Sequence, residues 1–171
     1  VHGLDLREHG SGNLGATNVF RILGAKWALP VVAVDIAKGF LPVWFFPGMV
    51  GGDLRWTLAF GGGAIVGHIF SLWVGFKGGK GVATSLGLFS YIMPWATLCA
   101  VGVFSACLWI SGYVSIGSIM AAISLPLFAI YFKLPLPYIY LAAIVGLFTL
   151  QKHYDNILRL IEGTETKFLR K

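Results

Sequence analysis

What the sequence lacks most is charge. Only 12% of its 171 residues are Asp, Glu, Lys or Arg, while 57% are apolar; soluble domains carry about 25% charged residues. Gly81 to Phe132 contains no charged residue at all, and Leu134–Gln151 is likewise uncharged. A membrane-crossing helix needs about 20 such residues, so a soluble enzyme, a disordered chain and a nucleic-acid binder are excluded. Cysteine is scarce as well. Cys99 and Cys107 share one apolar stretch, about 12 Å apart along a helix axis and beyond disulfide reach. No Cys/His cluster has metal-ligand spacing, and no Gly-x-Ser-x-Gly elbow marks a serine nucleophile. None of the four His is followed five positions later by Asp. Neither a metal nor a cofactor is expected.

The apolar segments are too long for strands, and in lipid only helices or closed barrels satisfy the backbone. The expected fold is all-α, a polytopic transmembrane helical protein. Spans are placed near Trp27–Phe46, Trp56–Val74, Val82–Met93, Trp95–Ile110, Val114–Phe132 and Leu136–Gln151. The third is short, about 18 Å by helical rise, and either tilts against its neighbours or continues past Pro94.

Basic residues decide the count. Arg7, Arg21 and Lys26 precede the first span, Lys77 and Lys80 follow the second, and Lys152, Arg159, Lys167, Arg170 and Lys171 follow the last. All share one side only if three spans lie between Lys80 and Lys133, leaving Arg55 and Lys133 opposite and Lys38 within a span. That satisfies the positive-inside rule. Six spans are expected, with the C-terminus inside. Val1 then lies inside too; with neither Met nor a hydrophobic lead-in, a preceding helix is expected to be missing. Residues 1–171 read as one integral-membrane domain without internal repeats. The net charge of +6 points to anionic lipid or an anionic substrate rather than DNA. Gly61-Gly62-Gly63 suits close helix packing.

Four polar clusters fall on the inferred cytoplasmic face. The first runs from Gly10 to Arg21. Its glycines allow a loop whose amides converge on an anion, Ser11, Asn13, Thr17 and Asn18 add hydrogen-bonding groups, and Arg21 adds a fork matched to phosphate. The bland alternative is a surface loop with a helix cap at Thr17 or Asn18. The second is His68 followed by Gly75-Phe76-Lys77-Gly78-Gly79-Lys80-Gly81-Val82-Ala83-Thr84. It fails the nucleotide P-loop pattern, with Gly81 where Ser or Thr should hold magnesium. A glycine loop with two lysines entering a helix still makes a phosphate cradle; otherwise Lys77 and Lys80 are plain membrane anchors and His68 a satisfied buried histidine. The third, Tyr113 to Ser118, is a polar opening to a span, either a site or a cap. The fourth runs from His153 to Glu165, where His153, Asn156 and Arg159 form one helical stripe, either a site or the polar face of an interfacial helix. Asp35 and Lys38 share a face inside the first span, as a structural pair or with Lys38 as a further anion contact. An electropositive pocket opening on the bilayer suits a phosphorylated soluble substrate and a lipidic one. The residues alone leave a membrane enzyme and a carrier of phosphate-bearing molecules both open.

Three of these clusters resemble the cytoplasmic motifs of the bacterial acyl-phosphate:glycerol-3-phosphate acyltransferases, the PlsY family. They are Ser11-Gly12-Asn13-x-Gly15-Ala16-Thr17-Asn18-x-x-Arg21, Lys77-Gly78-Gly79-Lys80-Gly81-Val82-Ala83-Thr84 and His153-x-x-Asn156-Ile157-x-Arg159-Leu160, with Asp35-x-x-Lys38-Gly39 and Tyr113-Val114-Ser115 also fitting. The likeness covers the whole chain in order. It implies seven spans, the first being the missing helix, and acyl transfer from acyl phosphate to the 1-hydroxyl of glycerol 3-phosphate. The products would be 1-acylglycerol 3-phosphate and phosphate, in the first acylation of phospholipid synthesis. By this likeness Ser11, Thr17, Arg21, Lys80, Ser118, His153 and Asn156 contact glycerol 3-phosphate, with Lys80, His153 and Asn156 catalytic. Asn13, Gly15, Gly78 and Gly79 hold the acyl phosphate; Lys38, from its place in the first span, is assigned to it as a further anion contact, and Asn18 and Arg159 are assigned as supports. A monomer in the bacterial inner membrane is expected, with its active site and C-terminus facing the cytoplasm. Ser71 stands where the family often has Pro, and Gly112 and Tyr154 where a basic residue is common. A transporter of anionic metabolites, for which inverted repeats would be expected, and a purely structural scaffold are the competing classes.

Overall fold

The computed structural model describes residues 4–168; Val1, Arg170 and Lys171 lie outside the described residues. All regular structure among the described residues is helical. In chain order the helices are α1 (Ala16–Leu23), α2 (Ala25–Met49), α3 (Leu54–Ile69), α4 (Val82–Ile92), α5 (Pro94–Ser111), α6 (Val114–Tyr131), α7 (Leu136–Lys152) and α8 (Tyr154–Ile161), with a 3₁₀ turn at Leu72–Val74. The chain divides into two compact units, the first ending at Leu88 and the second beginning at Phe89.

Among the described residues, four segments are long and apolar enough to cross a membrane: Ala25–Met49, Leu54–Val74, Pro94–Ser111 and Val114–Tyr131. Val82–Ile92 and Leu136–Lys152 are apolar but shorter. These are the six helical segments expected from the sequence, four of them long enough to cross a membrane. Val82–Ile92 does not continue past Pro94, because Pro94 opens α5 instead, where its missing N–H costs nothing. Large apolar side chains stand exposed along the long helices, Ile110 at 77% and Leu29 at 67% among them. A soluble fold would bury such surface.

Within the first unit, glycines let helices touch backbone to backbone. A Cβ on Gly39 of α2 would overlap the Thr84 carbonyl of α4, and one on Gly87 of α4 would overlap the Ile36 carbonyl of α2. Gly61 of α3 makes room for the Leu88 and Val43 side chains, whereas Gly62 and Gly63 face open space. Only the first of that glycine triplet serves packing. In the second unit Gly117 of α6 lies against the Phe104 carbonyl and ring of α5, and Gly146 of α7 against the Ala122 carbonyl of α6. Since lipid removes most hydrophobic drive between helices, such close approach supplies the van der Waals contact that holds them. Thr97 and Thr149 satisfy their buried hydroxyls on the carbonyls of Met93 and Val145, four residues back. Cys99 and Cys107 are both free thiols on α5.

Candidate functional site

In the first unit, the first polar cluster folds as a loop around one side chain. Gly10 and Gly12 turn the chain at φ 63 and φ 69, where other residues are strained. Asn18, 1% exposed, reaches back from α1 into this turn. Its Oδ1 accepts from Ser11 N at 2.9 Å, and its Nδ2 donates to the carbonyls of Leu6 at 3.1 Å and His9 at 3.0 Å. Asn13 Oδ1 accepts from Gly15 N at 2.7 Å. Gly15 is the N-cap of α1, so neither Thr17 nor Asn18 takes that role. Thr17 and Arg21 follow one turn apart on α1, both half-buried, with Arg21 in the last turn.

Beyond α3 the chain makes an excursion and returns. Phe76 N donates to the Ser71 carbonyl at 2.9 Å, and Gly78 N to the Ile69 carbonyl at 3.0 Å, so the glycine loop rests on the end of α3. Neither Gly78 nor Gly79 has room for a Cβ: the first lies on the His68 carbonyl, the second on the His68 ring at Nε2. Lys80 is half-buried in this loop, and Gly81, at φ 81, leads into α4. Gly78 is half-buried and Gly79 and Gly81 are buried, and the loop runs into the start of α4, a helix N-terminus of the kind that favours an anion. On α2, Lys38 Nζ lies 3.0 Å from Asp35 Oδ1, and His68 Nδ1 of α3 lies 3.5 Å from the same oxygen.

In the second unit, Ser115 and Ser118 are buried one turn apart on α6. His153 is buried at the junction of α7 and α8, its Nδ1 2.8 Å from the Thr149 carbonyl. A carbonyl only accepts, so Nδ1 carries the hydrogen and Nε2 is the basic nitrogen of the neutral ring. Asn156 and Arg159 of α8 turn toward Glu165. Asn156 Nδ2 donates to Glu165 Oε1 at 2.7 Å, Ser115 Oγ to the same oxygen at 3.1 Å, and Arg159 Nε to Oε2 at 2.7 Å. Gly163, at φ 70, reverses the chain after α8, and the Arg159 carbonyl accepts from Thr164 N at 2.8 Å and Glu165 N at 3.1 Å. Phe168 N donates to the Gly112 carbonyl at 2.8 Å, laying this tail along the start of α6. Burial pushes the Glu165 carboxyl up, but the Arg159 and Asn156 bonds, the Arg159 charge and the Ser115 bond outweigh it and hold it below the usual glutamate range.

The sequence therefore placed Asn18, His153 and Asn156 among functional residues but assigned Glu165 no role. Its only signal was an acidic residue two positions past a glycine in an otherwise basic tail. Arg159, read as a support, and Lys38, read as an acyl phosphate contact, each pair with a protein carboxylate here. No group of three or more His, Cys, Asp or Glu able to hold a metal occurs among the described residues.

The glycerol-3-phosphate acyltransferase family model matches residues 1–163. The Fusobacterium nucleatum glycerol-3-phosphate acyltransferase is 42% identical, over 97% of this chain and 85% of the relative. That of Aquifex aeolicus is 40% identical, over 98% of this chain and 88% of the relative. The crystal structure of PlsY (YgiH), an integral membrane glycerol 3-phosphate acyltransferase in its glycerol 3-phosphate form, superposes with a TM-score of 0.92 at 38% identity. It covers 98% of this chain and 84% of that one. Its lysophosphatidic acid form gives 0.86 at 37% identity, over 92% and 81% of the two chains. Matched along nearly its whole length in sequence and in fold, this chain belongs to the PlsY family of glycerol-3-phosphate acyltransferases, integral membrane enzymes.

Proposed function

We propose that this acyltransferase moves a fatty acyl group from acyl phosphate to the 1-hydroxyl of glycerol 3-phosphate, the first acylation of phospholipid synthesis. The observation that carries this reading is the placement of Lys80 in a glycine loop that leads into the start of α4, a helix N-terminus that suits a phosphate-bearing donor. The crystal structures of the relative in glycerol 3-phosphate and lysophosphatidic acid forms support the acceptor and product. Ser11, Thr17, Arg21, Lys80, Ser118, His153 and Asn156 are proposed to contact glycerol 3-phosphate, and Asn13, Gly15, Lys38, Gly78 and Gly79 the acyl phosphate. Asn18 and Arg159 act as supports. Residues 1–171 are read as one acyltransferase domain, a monomer crossing the bacterial inner membrane six times with its site and C-terminus toward the cytoplasm.

The chemistry needs no covalent enzyme intermediate. Acyl phosphate is a mixed anhydride and already activated. The glycerol hydroxyl oxygen attacks the carbonyl carbon, the carbon–oxygen bond to phosphate breaks, and the hydroxyl proton goes to the departing phosphate. Orientation supplies much of the acceleration, and Lys80 stabilises the charge on the leaving group. His153, its tautomer set by Thr149, presents a basic Nε2 suited to orienting the attacking hydroxyl.

The test supplies the detergent-solubilised chain with glycerol 3-phosphate and either palmitoyl phosphate or palmitoyl-CoA, following phosphate and lysophosphatidic acid together. Equal release of both from palmitoyl phosphate, lost in Lys80→Ala, is expected. Turnover with palmitoyl-CoA alone would overturn the donor assignment and leave the acyltransferase class standing.

A further inference from the structure

The apolar interior of the first unit holds a charge cluster that the proposed chemistry uses only through Lys38. Asp35 is 6% exposed on α2. Burying a carboxylate is costly unless it is paired, and Lys38 at 3.0 Å already pairs it. His68 is therefore not needed for charge balance, yet its Nδ1 lies 3.5 Å from the same carboxylate oxygen and its side chain is only 12% exposed.

The opposite edge of the ring explains the arrangement. Nε2 of His68 faces Gly79, where a Cβ would overlap it, and the His68 carbonyl occupies the space of a Cβ on Gly78. The next carbonyl, that of Ile69, accepts from Gly78 N at 3.0 Å. One residue thus meets Asp35 through one ring nitrogen and the glycine loop through the other, while its own backbone lies beneath that loop. A buried ion pair kept only for stability would need none of these contacts with the loop.

We infer that Asp35 and His68 are positioning residues for the anion loop. The carboxylate, held by Lys38, sets the imidazole, and the imidazole sets the backbone of Gly78-Gly79. Glycine is required at these positions by His68, before any phosphate arrives. This deepens the proposed function, on which its choice of donor phosphate rests.

The experiment has two independent readouts on the detergent-solubilised chain: KM and kcat with palmitoyl phosphate and glycerol 3-phosphate, and the rate of trypsin cleavage at Lys77 and Lys80 within the loop. Gly79→Ala raises KM for palmitoyl phosphate about tenfold and speeds cleavage; adding His68→Ala makes room for the methyl and recovers part of both losses, as contacting residues couple. Asp35→Leu raises the palmitoyl phosphate KM and speeds cleavage while kcat stays within about twofold, and Asp35→Asn, which keeps an acceptor for the ring, does so less. Additive effects of Gly79→Ala and His68→Ala overturn the inference. So does an Asp35→Asn protein with parental KM and cleavage rate. Should Asp35→Leu fail to fold, the Gly79/His68 cycle and Asp35→Asn still decide. If the parent chain ignores palmitoyl phosphate, the donor assignment fails, and the cleavage rates still decide whether His68 positions the loop.

Discussion

Two buried side chains, Asn18 and Glu165, do more than their sequence neighbourhoods announce. Asn18 binds three backbone groups of a loop that precedes it by seven to twelve residues, and each would be left without that partner in Asn18→Ala. Leaving a buried polar group unmade costs about 1–3 kcal/mol. The loop is therefore expected to open, with faster amide exchange over residues 6–12 and loss of turnover. Asn18→Asp keeps the acceptor for Ser11 but sets a carboxylate against two carbonyls, so it should be no better than Ala. Glu165 allows a test by pH. Its carboxyl is held low in the folded chain, so the stabilisation is full above the unfolded glutamate value, about 4.3. It is lost as pH falls through the lower folded value. Glu165→Gln can still accept from Asn156 and Ser115 but cannot pair Arg159, and should lower stability near neutral pH by about 1–3 kcal/mol. Thermal unfolding at pH 7 and again well below pH 4 checks the sign: the parent's advantage over Gln shrinks on acidification, and an unchanged gap refutes the pairing. The sequence showed Asn18 as one polar residue among several, and Glu165 lies fifty residues from Ser115; neither partnership has a local signature. Arg159, by contrast, invited an anion ligand on composition alone, and only the reversal at Gly163 reveals that the ligand is internal.

At the scale of elements, the helices were legible because lipid leaves so few choices. The longest uncharged run holds α4, α5 and α6, and Pro94 opens α5 as a proline at a helix start should. What could not be read was which glycines serve packing. Gly61, Gly62 and Gly63 are indistinguishable in sequence, yet Gly61 alone meets neighbouring side chains. The α2–α4 crossing is the sharper case. Gly39 and Gly87 each place an opposing backbone carbonyl where a Cβ would stand, and a backbone cannot yield as a flexible side chain does. Gly39→Ala and Gly87→Ala should each separate the two helices and lower the unfolding temperature, by about 1–3 kcal/mol of overpacking. Gly62→Ala and Gly63→Ala, in open space, should leave it unchanged. Because α4 begins directly after Gly81, the crossing variants should also disturb the glycine loop, and an undisturbed palmitoyl phosphate KM in them would separate helix packing from loop geometry.

For the molecule as a whole, the decisive question is how many times it crosses the bilayer, and α4 is the element on which the answer turns. Its eleven residues rise about 16 Å, well short of a hydrocarbon core of about 30 Å. By length alone it is a poor span. Charge argues the other way: if α4 does not cross, Lys133 shares a side with Lys77 and the basic tail falls opposite, against the positive-inside rule. A short apolar helix can still cross where the bilayer thins or flanking residues reach the interface, at a cost of fractions of a kcal/mol per Å, whereas basic segments on the wrong side oppose insertion as a group. The charge argument therefore outweighs the length argument, and six crossings are expected. Lys77, Arg55, Lys133 and Lys167 are all exposed and suit single-cysteine reporters once Cys99 and Cys107 are replaced by Ala. In intact spheroplasts a membrane-impermeant maleimide should label Arg55→Cys and Lys133→Cys, and should reach Lys77→Cys and Lys167→Cys only after permeabilisation. Labelling of Lys167→Cys from outside together with protection of Lys133→Cys would remove α4 from the membrane and leave an odd number of crossings.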